Sequence, residues 1–575
     1  MKKITILFSS CLIATAMQAQ ILHVPADYQT IQAAVDAAGY GDTVLVAPGT
    51  YVENVMIEGN EKTITLAGNF LFSADPDDID NTIIDAGQPA DTNRSMGIAI
   101  RYQDSTLDSR IIGFTIQNGN GYYQTFGGGI YVWRATPIIE HNHILNCSVH
   151  GLQPQGGGIH VGNLLGTERL TVIRENVIKN CTITSTARLL GGGISINNGL
   201  TLIEHNQVSL NVLLGTTTGS CEGGGIFMLN PTQGTAISHN TITENTLSLE
   251  AFYSWGGGIY LERDEQDTLQ AVPLIEGNRV DKNSANRGGG IFCNYLCVKM
   301  VNNLVTGNLA TADGGGIKII GPGNDYELSE ITNNTIYGNT VSGNNSGGGV
   351  TVGATGNTSF LFLNNIIYGN EAATAKEMLV TSGQINLYNC NIDVSEIQGS
   401  WTGNDNFNGD PCFIDDEFQI EETSCCEDKG RASIELIPGA WYYAPLVDRF
   451  DTLRPHHLGY DVGSDECDFF EKLPEYPFTG TDIIYTVVRP NPFIDVSTLE
   501  YELDRAGQVN IFIFNSQGQQ VAVLVNNYQD KGQHMVQWNA EGLPAGIYFY
   551  ELRAEGVGQS AVSGQRSAVG KLVKF

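Results

Sequence analysis

Charged side chains that recur at one position of an internal repeat are the first candidates for chemistry in this sequence. Two residues before a recurring Asn, three successive copies carry Glu140, Arg174 and Glu204, and the next two carry Ser238 and Glu276. If the copies stack, these charges form a ladder of ion pairs, each contributing about 0–1 kcal/mol on a solvated face. The same groups could instead move a proton to or from a ligand. The sequence leaves both alternatives open.

Histidine recurs one position closer to the same Asn. Successive copies carry His141, Glu175, His205 and His239 at this position. Histidine titrates near neutral pH and is a frequent acid–base catalyst. A position beside a turn also suits a side chain that only packs, and we expect these histidines to be turn or packing residues.

Aromatic residues form a second candidate surface, at the position after each Gly-Gly-Gly-Ile phrase. The neighbours of this position are apolar, so in a strand the position itself faces the opposite, outward side. The column reads Tyr131, His160, Ser195, Phe227, Tyr260, Phe292, Lys318 and Thr351, and Trp133 and Trp255 lie nearby. Aromatic rings stack on sugar rings, so we predict that the aromatic members, with His160 and Trp133, bind an extended glycan. The alternative is that loops bury the column.

A triple glycine sets the period of the repeat and predicts the elements that carry these columns. It begins at Gly127, Gly156, Gly191, Gly223, Gly256, Gly288, Gly314 and Gly347, at intervals of 26 to 35 residues. Apolar residues after it alternate with period two, which indicates short strands bounded by Gly and Asn turns. One unit cannot bury its own apolar face, whereas stacked units can, so the period predicts a solenoid of β-strands.

The recurring Asn predicts a side-chain ladder at one corner of each coil. Its copies are Asn142, Asn176, Asn206, Asn240, Asn278, Asn303, Asn334 and Asn365. Stacked Asn side chains can hydrogen bond from coil to coil, and Asn tolerates the left-handed backbone of a tight bend. The triple glycines suit positive φ or close backbone approach at another corner.

Together these features resemble the right-handed parallel β-helix of the pectate-lyase-like superfamily. Leucine-rich repeats would need repeated Leu, and helical repeats would show a period of 3.6. The resemblance implies an all-β solenoid over residues 21–400, with an N-terminal cap at 21–57. Lyases of this superfamily use an Arg or Lys base beside carboxylates, which makes Glu140, Arg174 and Glu204 weak catalytic candidates. The GHG and RxK motifs of polygalacturonases are absent.

The first residues predict a signal peptide and then the cap. Residues 1–20 combine Lys2 and Lys3 with an apolar run and small residues, and we expect cleavage near Ala19. Residues 30–38 have the apolar spacing of a short helix, which would close the exposed first coil. Residues 49–53 resemble a motif of pectin methylesterases, whose catalytic motifs are absent, so they indicate shared coil geometry.

Acidic residues dominate the charge of the chain. A net charge of −32 argues against nucleic acid or anionic lipid as partners. Asp75, Asp77, Asp78 and Asp80 are weak candidates for a calcium site, although their spacing is not that of an EF-hand loop. We expect a solvated loop there, and calcium is the one cofactor that the sequence suggests.

Cysteines cluster where the repeat is lost, in residues 401–472. Cys412, Cys425, Cys426 and Cys467 lie there, and in an exported protein they predict disulfide bonds of unassigned pairing. Residues 408–414 and 461–466 resemble the closing segment of choice-of-anchor β-helix proteins. We therefore expect an irregular, disulfide-bonded C-terminal cap.

The C-terminal part resembles an export signal. After a predicted linker at residues 473–486, the chain contains PNP at 490–492, WNA at 538–540 and LPAGIY at 543–548, then basic Lys571 and Lys574. This order resembles the type A sorting domain of the Bacteroidota type IX (Por) secretion system, here residues 487–575. The resemblance implies transport across the outer membrane, and alternating apolar residues predict an Ig-like β-sandwich. After the leader, no stretch of about 20 apolar residues predicts a transmembrane segment.

Three functions fit these features. The first is a secreted or cell-surface protein that binds extended glycans or acts as an adhesin, with a glycan and the type IX machinery as partners. The second is a lyase or hydrolase acting on acidic polysaccharide, and the third is a structural stalk. Whether the protein is an enzyme stays undecided, because fold alone supplies no reaction.

Overall fold

The chain forms two separate units. A computed structural model describes residues 19–59, 62–103, 109–164, 169–251, 253–264, 271–322, 328–356, 358–421, 423–455, 459–467, 486–489, 493, 496–503, 506–515, 519–544, 546–556 and 565–574. The units comprise Met1–Cys467 and Asp468–Phe575. The predicted signal peptide, except for its last two residues, and residues 473–485 of the predicted linker lie outside the described residues.

The first unit is a coil of parallel strands that returns to the same three long sheets on every turn. The first sheet contains the strands Ile21–Val24, Thr43–Val46, Thr65–Gly68, Arg110–Ile112, Ile138–Glu140, Leu170–Arg174, the second half of Ile194–Glu204, Ala236–Ser238, Leu274–Glu276, Lys299–Val301, Leu328–Thr332, Ser359–Leu363 and Gln384–Tyr388. The second sheet contains Gly49–Tyr51, Thr82–Asp85, Thr115–Gln117, His143–Leu145, Val177–Lys179, Gln207–Ser209, Thr241–Thr243, Arg279–Asp281, Leu304–Thr306, Thr335–Tyr337, Ile366–Tyr368 and Asn391–Ile392.

The third sheet follows the triple glycines. It contains Val55–Glu58, Ile98–Arg101, Ile130–Trp133, Ile159–Gly162, the first half of Ile194–Glu204, Ile226–Pro231, Ile259–Glu262, Ile291–Asn294, Ile317–Gly321, Val350–Ala354, Met378–Val380 and Ile397–Gln398. Shorter strands between the second sheet and the glycines form a fourth: Ser148–His150, Thr182–Thr184, Leu189–Leu190, Val212–Leu214, Ser220–Glu222, Thr246–Leu247, Tyr253–Trp255, Ser284–Arg287, Leu309–Asp313 and Thr340–Val341. Arg94–Ser95 and Gly121–Tyr122 pair antiparallel.

Equivalent residues stack in register from coil to coil. Ile130 pairs with Ile159 on the next coil, and Ile159 pairs with Ile194. These side chains are fully buried in a continuous apolar core inside the coil. Stacking therefore buries the face that a single coil would expose, and the predicted all-β, right-handed parallel β-helix is confirmed.

The predicted asparagine ladder is present at the corner between the first and second sheets. Asn206, for example, donates from Nδ2 to Asn240 Oδ1 at 3.0 Å and to Ile173 O at 2.8 Å. The same contact joins neighbouring copies from Asn142 to Asn365, and Cys390 Sγ is the acceptor for Asn365. Each amide thus satisfies buried backbone groups as well as the next amide.

A second asparagine ladder, not predicted from the repeat, lies five residues further on. Its members are Asn211, Asn245, Asn283, Asn308, Asn339 and Asn370, joined by Nδ2–Oδ1 distances of 2.9 to 3.1 Å. Cys147 and Cys181 hold this position in two earlier coils, and Cys181 N donates to Asn211 Oδ1. Two corners of the coil are therefore fixed by the same device.

The left-handed residue at the first corner is the one before the ladder Asn, and not the Asn itself as predicted. His141, Glu175, His205, His239, Gly277, Asn302, Asn333, Asn364 and Asn389 all have positive φ. The ladder Asn needs its side chain turned into the coil, so the bend falls on its neighbour. This confirms the interpretation of His141, His205 and His239 as turn residues.

The triple glycines combine both predicted uses of glycine. The first of each triplet has positive φ, as at Gly223 with 67°. A Cβ added to the second or third would meet the neighbouring coil, since at Gly224 it would lie 2.2 Å from Gly257 O. Only glycine fits a corner where successive backbones approach this closely.

A short helix closes the first coil. Helix α1 (Ile31–Ala37) begins at Thr30, whose side chain accepts from Ala33 N, and it buries Ile31, Ala34 and Val35. Both carboxylate oxygens of Glu53 accept the N–H groups of Ile31 and Gln32 at 2.9 Å. The esterase-like string at 49–53 therefore has a structural role in this chain.

The segment after the last coil folds back along the preceding coils. Residues 397–407 complete a final partial turn, with Trp401 packed against the core. Asn302, Asn333, Asn364 and Asn389 then donate from Nδ2 to carbonyl groups of Val447, Asp461, Arg431 and Lys429. Phe413 and Phe418 pack on Tyr337. A hairpin of Ser433–Ile437 and Ala440–Tyr443 belongs to this segment.

The predicted disulfide bonds are not confirmed by the described residues. None of the ten cysteines from Cys147 to Cys467, all among the described residues, forms a disulfide bond. Cys425 and Cys426 Sγ lie 3.9 Å apart, and Cys467 Sγ donates to Ile420 O. The segment is held by hydrogen bonds and ion pairs, such as Arg454 with Glu466 at 3.0 Å.

The second unit consists of two antiparallel sheets. One has Thr486–Arg489, Val496–Leu503 and Gly532–Asn539, and the other has Gln520–Gln529, Gly507–Asn515, Gly546–Gly556 and Gln565–Lys574. Leu499, Tyr501 and Trp538 of one sheet share a core with Ile511 and Leu552 of the other. The Ig-like topology stays a prediction.

Candidate functional site

The outer side of the third sheet carries the predicted aromatic column, and the column is buried. Its members from Tyr131 to Thr351 are at most 5% exposed. Its aromatic members Tyr131, Phe227, Tyr260 and Phe292 lie outside the central core, in two clusters of their own. Their side chains point outward, as predicted. The sequence left open whether the column is exposed or covered, and in the structure it is covered.

Residues that precede the triple glycines cover the column. Tyr122 stacks on Tyr131 with ring centroids 4.7 Å apart, and Phe126 lies 5.2 Å from His160. Further along, Trp255 contacts Tyr260 and Phe292, each at 6.0 Å between centroids. Burial lowers the pKa of His160 to about 3, so this imidazole is neutral and is a packing group.

Outside the buried column, a second layer of aromatic rings is open to solvent. Tyr102, Tyr123 and Tyr253 are 38%, 58% and 44% exposed, and Trp133 and Trp255 are half-buried. Tyr253 lies 4.8 Å from Trp255. We call these five side chains the aromatic rim. Rings that are fixed on one side and open on the other are suited to stacking on a flat ligand.

Next to Trp255, a guanidinium joins two carboxylates. Arg188 Nη2 lies 2.5 Å from both Glu222 Oε2 and Glu262 Oε2, so these oxygens are at most twice that distance apart. Burial raises the pKa of Glu222, although Arg188 acts against the shift. Asn294 Nδ2 donates to Glu262 Oε1 at 3.3 Å and to Tyr260 Oη at 3.1 Å. We call Arg188, Glu222, Glu262 and Asn294 the polar cluster.

Guanidinium groups accompany the other half of the rim. Arg101 lies over the rings of Tyr102 and Tyr122 at 4.7 and 4.9 Å from their centroids. It also pairs with Glu58 at 3.3 Å. Arg134 lies 5.8 Å from the Tyr102 ring. Cation–π contacts of this kind hold aromatic rings in fixed positions at an exposed surface.

Lys318 is buried under the same sheet face. Its Nζ lies 2.6 Å from both carboxylate oxygens of Asp313. Burial lowers its pKa, and Asp313 opposes this shift. The pair is therefore satisfied within the protein.

The predicted charge ladder lies on the first sheet, away from the aromatic rim. Glu140 is 1% exposed and accepts from Arg110 and, at 2.6 Å, from Arg174 Nε. Arg174 and Glu204 are 3.9 Å apart. The charges stack as the ion-pair alternative describes. The catalytic role of Glu140, Arg174 and Glu204 stays a prediction, and both oxygens of Glu140 already have partners.

The acidic run forms part of a helix and not the expected loop. Asp75 is the N-cap of the helix Pro76–Asn81 and accepts from Asp77 N, which follows from Asp and Pro at a helix start. Asp78 accepts from Asn69 and Ser73, and Asp80 pairs with His143 at 2.8 Å. Within the described residues, no three His, Cys, Asp or Glu side chains converge as a metal site would require.

The polar cluster was missed in the sequence because its position has no recurring residue type. Glu222 directly precedes a triple glycine, where neighbouring coils carry Phe126, Gln155, Leu190, Trp255 and Arg287. Bridges between neighbouring coils show that these residues form one column. Aligning the copies of the repeat on their triple glycines reveals this column, and the same alignment places Trp255 beside Glu222.

Comparison with protein families yields two matches. The family described as right handed beta helix region matches residues 44–242 and 174–332. The family described as secretion system C-terminal sorting domain matches residues 487–561. None of the curated proteins matches the sequence. In the described part of the chain, no helix combines the length and hydrophobicity needed to cross a bilayer.

Two solved structures show distant similarity. Pectate lyase Pel9A has 13% identity and a TM-score of 0.39, over 79% of this chain and 98% of that chain. The tailspike protein gp49 of Acinetobacter baumannii bacteriophage Fri1, a capsular polysaccharide depolymerase, has 8% identity and a TM-score of 0.31, over 97% of this chain and 78% of its own. Similarities this distant carry no argument about activity.

Proposed function

Since the chain belongs to the right-handed β-helix family and carries a secretion system C-terminal sorting domain, we propose that it binds glycans outside the cell. The sorting domain directs export by the type IX system to the cell surface or extracellular space of a Bacteroidota bacterium. The proposed site is the outer side of the third sheet, where the aromatic rim and the polar cluster lie together.

The observation that carries the proposal is the layered arrangement of aromatic rings. Buried rings of the predicted column support Trp133 and Trp255, while Tyr102, Tyr123 and Tyr253 remain open. A sugar ring offers an apolar face for stacking and hydroxyl groups for hydrogen bonds. Arg188 and Glu262, whose side chains are 36% and 18% exposed, supply donors and acceptors beside Trp255. A structural stalk has no need of such a surface.

The lyase alternative receives less support. Its best candidate base, Arg174, is paired with Glu140, whose two oxygens are both occupied. Binding of an acidic polysaccharide would also oppose the net charge of −32. We therefore place binding before catalysis.

The test is retention on a panel of immobilised polysaccharides, comparing wild type with Tyr253→Ala and with Tyr253→Ala/Trp255→Ala. Stacking contributes about 1 kcal/mol or more per ring, so we expect the double variant to bind at least tenfold more weakly. Phe72→Ala is the matched control, because Phe72 is 64% exposed on the helix Phe70–Ser73, and it should bind as wild type does.

Unchanged affinity in the double variant would contradict the proposal. Trp255 also packs on buried rings, so the single variant at the exposed Tyr253 separates loss of binding from loss of structure. Equal thermal midpoints for wild type and Tyr253→Ala must accompany the weaker binding.

A further inference from the structure

A cavity of about 390 Å³ lies where the aromatic surface meets the N-terminal cap. Met56 and Glu58, from the first strand of the third sheet, line one side of it. Gln32, Val35 and Asp36 of α1 line another side. Its position between the aromatic surface and the cap, together with its volume, indicates which ligand it can hold.

The cavity belongs to the same columns of side chains as the proposed glycan surface. Met56 pairs in register with Ala99, and Ala99 pairs with Tyr131. Glu58 likewise pairs with Arg101, and Arg101 pairs with Trp133. Met56 and Met96 also pack in the cluster that contains Tyr122 and Tyr131. A linear ligand that follows the columns towards the N-terminus therefore arrives at the cavity.

Helix α1 closes the far side of the cavity. Gln32 fixes the helix to the strand, because its Oε1 accepts from Met56 N at 2.7 Å and its Nε2 donates to Met56 O at 3.1 Å. Lys62 Nζ holds the other end of the helix through the carbonyl groups of Asp36 and Ala38, at 2.6 Å each. Because helix α1 is held at both ends, a linear ligand cannot continue past it.

The chemistry of the lining suits an uncharged sugar residue. Two cationic side chains, Arg94 and Lys62, face two anionic ones, Asp36 and Glu58, so the charges balance. Met56 and Met96 provide an apolar wall, and Asn54 is fixed by donating to Met96 O at 2.7 Å. Arg94, with 56% of its side chain exposed, is a donor that a ligand hydroxyl can reach. Hydroxyl groups use such mixed donors and acceptors, whereas a uronate would need an excess of cations.

We infer that this cavity receives the terminal residue of a neutral glycan, so that the protein recognises chain ends and not the interior of the chain. The inference rests on the proposed function. The aromatic rim then contacts the residues that follow the terminal one.

The test is calorimetric titration with linear neutral β-linked glucan, mannan and xylan, each before and after partial acid hydrolysis. Hydrolysis multiplies chain ends at constant mass, so the amount of protein bound per gram should rise in proportion to the ends. Arg94→Ala should bind the fragments at least fivefold more weakly. Lys282→Ala, which removes a cation that is 64% exposed elsewhere, should match wild type.

The outcomes separate the two claims. Capacity that stays constant per gram, with binding still lost in Tyr253→Ala/Trp255→Ala, overturns end recognition and leaves glycan binding in place. An Arg94→Ala affinity equal to that of wild type also overturns it. Absence of binding to every glycan on the polysaccharide panel overturns the proposed function and the inference together.

Discussion

Glu377 ends the second asparagine ladder and shows how one residue can make the coil sensitive to pH. Its Oε2 accepts from Asn370 Nδ2 at 2.7 Å, at the point where the next coil would have supplied an amide oxygen. The side chain is 6% exposed. Burial raises its pKa from 4.5 to about 7, although the hydrogen bonds with Asn370 oppose this shift.

The sign of this shift makes a prediction for stability. The folded protein binds the proton of Glu377 more tightly than the unfolded chain, so its contribution is complete below pH 4.5 and is lost as pH rises from there through about 7. Glu377→Gln keeps an acceptor without the charge. We expect it to match wild type in urea at pH 4 and to be more stable at pH 8, by on the order of 3 kcal/mol.

The control is Glu371→Gln, because Glu371 is exposed on the same coil. It should show no pH-dependent difference from wild type. A stability difference between Glu377→Gln and wild type that is the same at both pH values would contradict the assigned burial of the charge.

Residue-level features were predictable where a residue type recurs. The first ladder could be read from the period, and the second was present in the sequence as an Asn five residues after the first, as in Asn206 and Asn211. Glu222 and Arg188 could not be identified in the same way, since their columns change residue type from coil to coil.

At the scale of the element, each corner is a stack of amides and not a set of independent turns. The side chain of Asn240 donates to Ile203 O, Ser238 O and Asn278 Oδ1, and it accepts from Asn206. Removing it leaves several buried groups unpaired, at about 1–3 kcal/mol each. A ladder therefore transmits the loss of one member to both neighbouring coils.

We expect Asn240→Ala to destabilise the first unit by about 3 kcal/mol or more, measured by urea unfolding followed by circular dichroism. Gln207→Ala is the control, since Gln207 is an exposed neighbour of the ladder residue Asn206 and should change stability by about 0.5 kcal/mol at most. Equal effects of the two substitutions would show that the ladder amides do not stabilise the corner.

The sequence predicted a C-terminal cap, but it did not predict that this segment returns along the preceding coils. The sequence feature that marks the contacts of this segment is a pair of adjacent asparagines in the later coils, as at Asn333 and Asn334. The second of each pair extends the ladder, and the first turns outward to bind the segment, as Asn333 Nδ2 does with Asp461 O at 3.0 Å. Coils that the segment does not reach have His or Glu at the same position, as at His205.

At the scale of the whole molecule, a regular interior supports an irregular surface. Period-two strands, glycine corners and amide ladders recur in the sequence, so the coil and its register were predictable. The covering of the aromatic column was not, because the loops before the glycines share neither length nor composition. The proposed glycan binding belongs to that irregular outer layer, on the face of the third sheet that ends at α1. Export is the role of the separate sorting domain.

Hydrogen exchange with and without a bound neutral oligosaccharide tests the location of the site most directly. We predict slower exchange at residues 94–102, 121–134 and 253–264, which carry the aromatic rim, the cavity residues Arg94 and Met96, and Glu262. The second-sheet strands His143–Leu145 and Val177–Lys179 should exchange as in the free protein. Protection confined to those strands, or to the first-sheet ladder at Glu140 and Arg174, would contradict the proposed site.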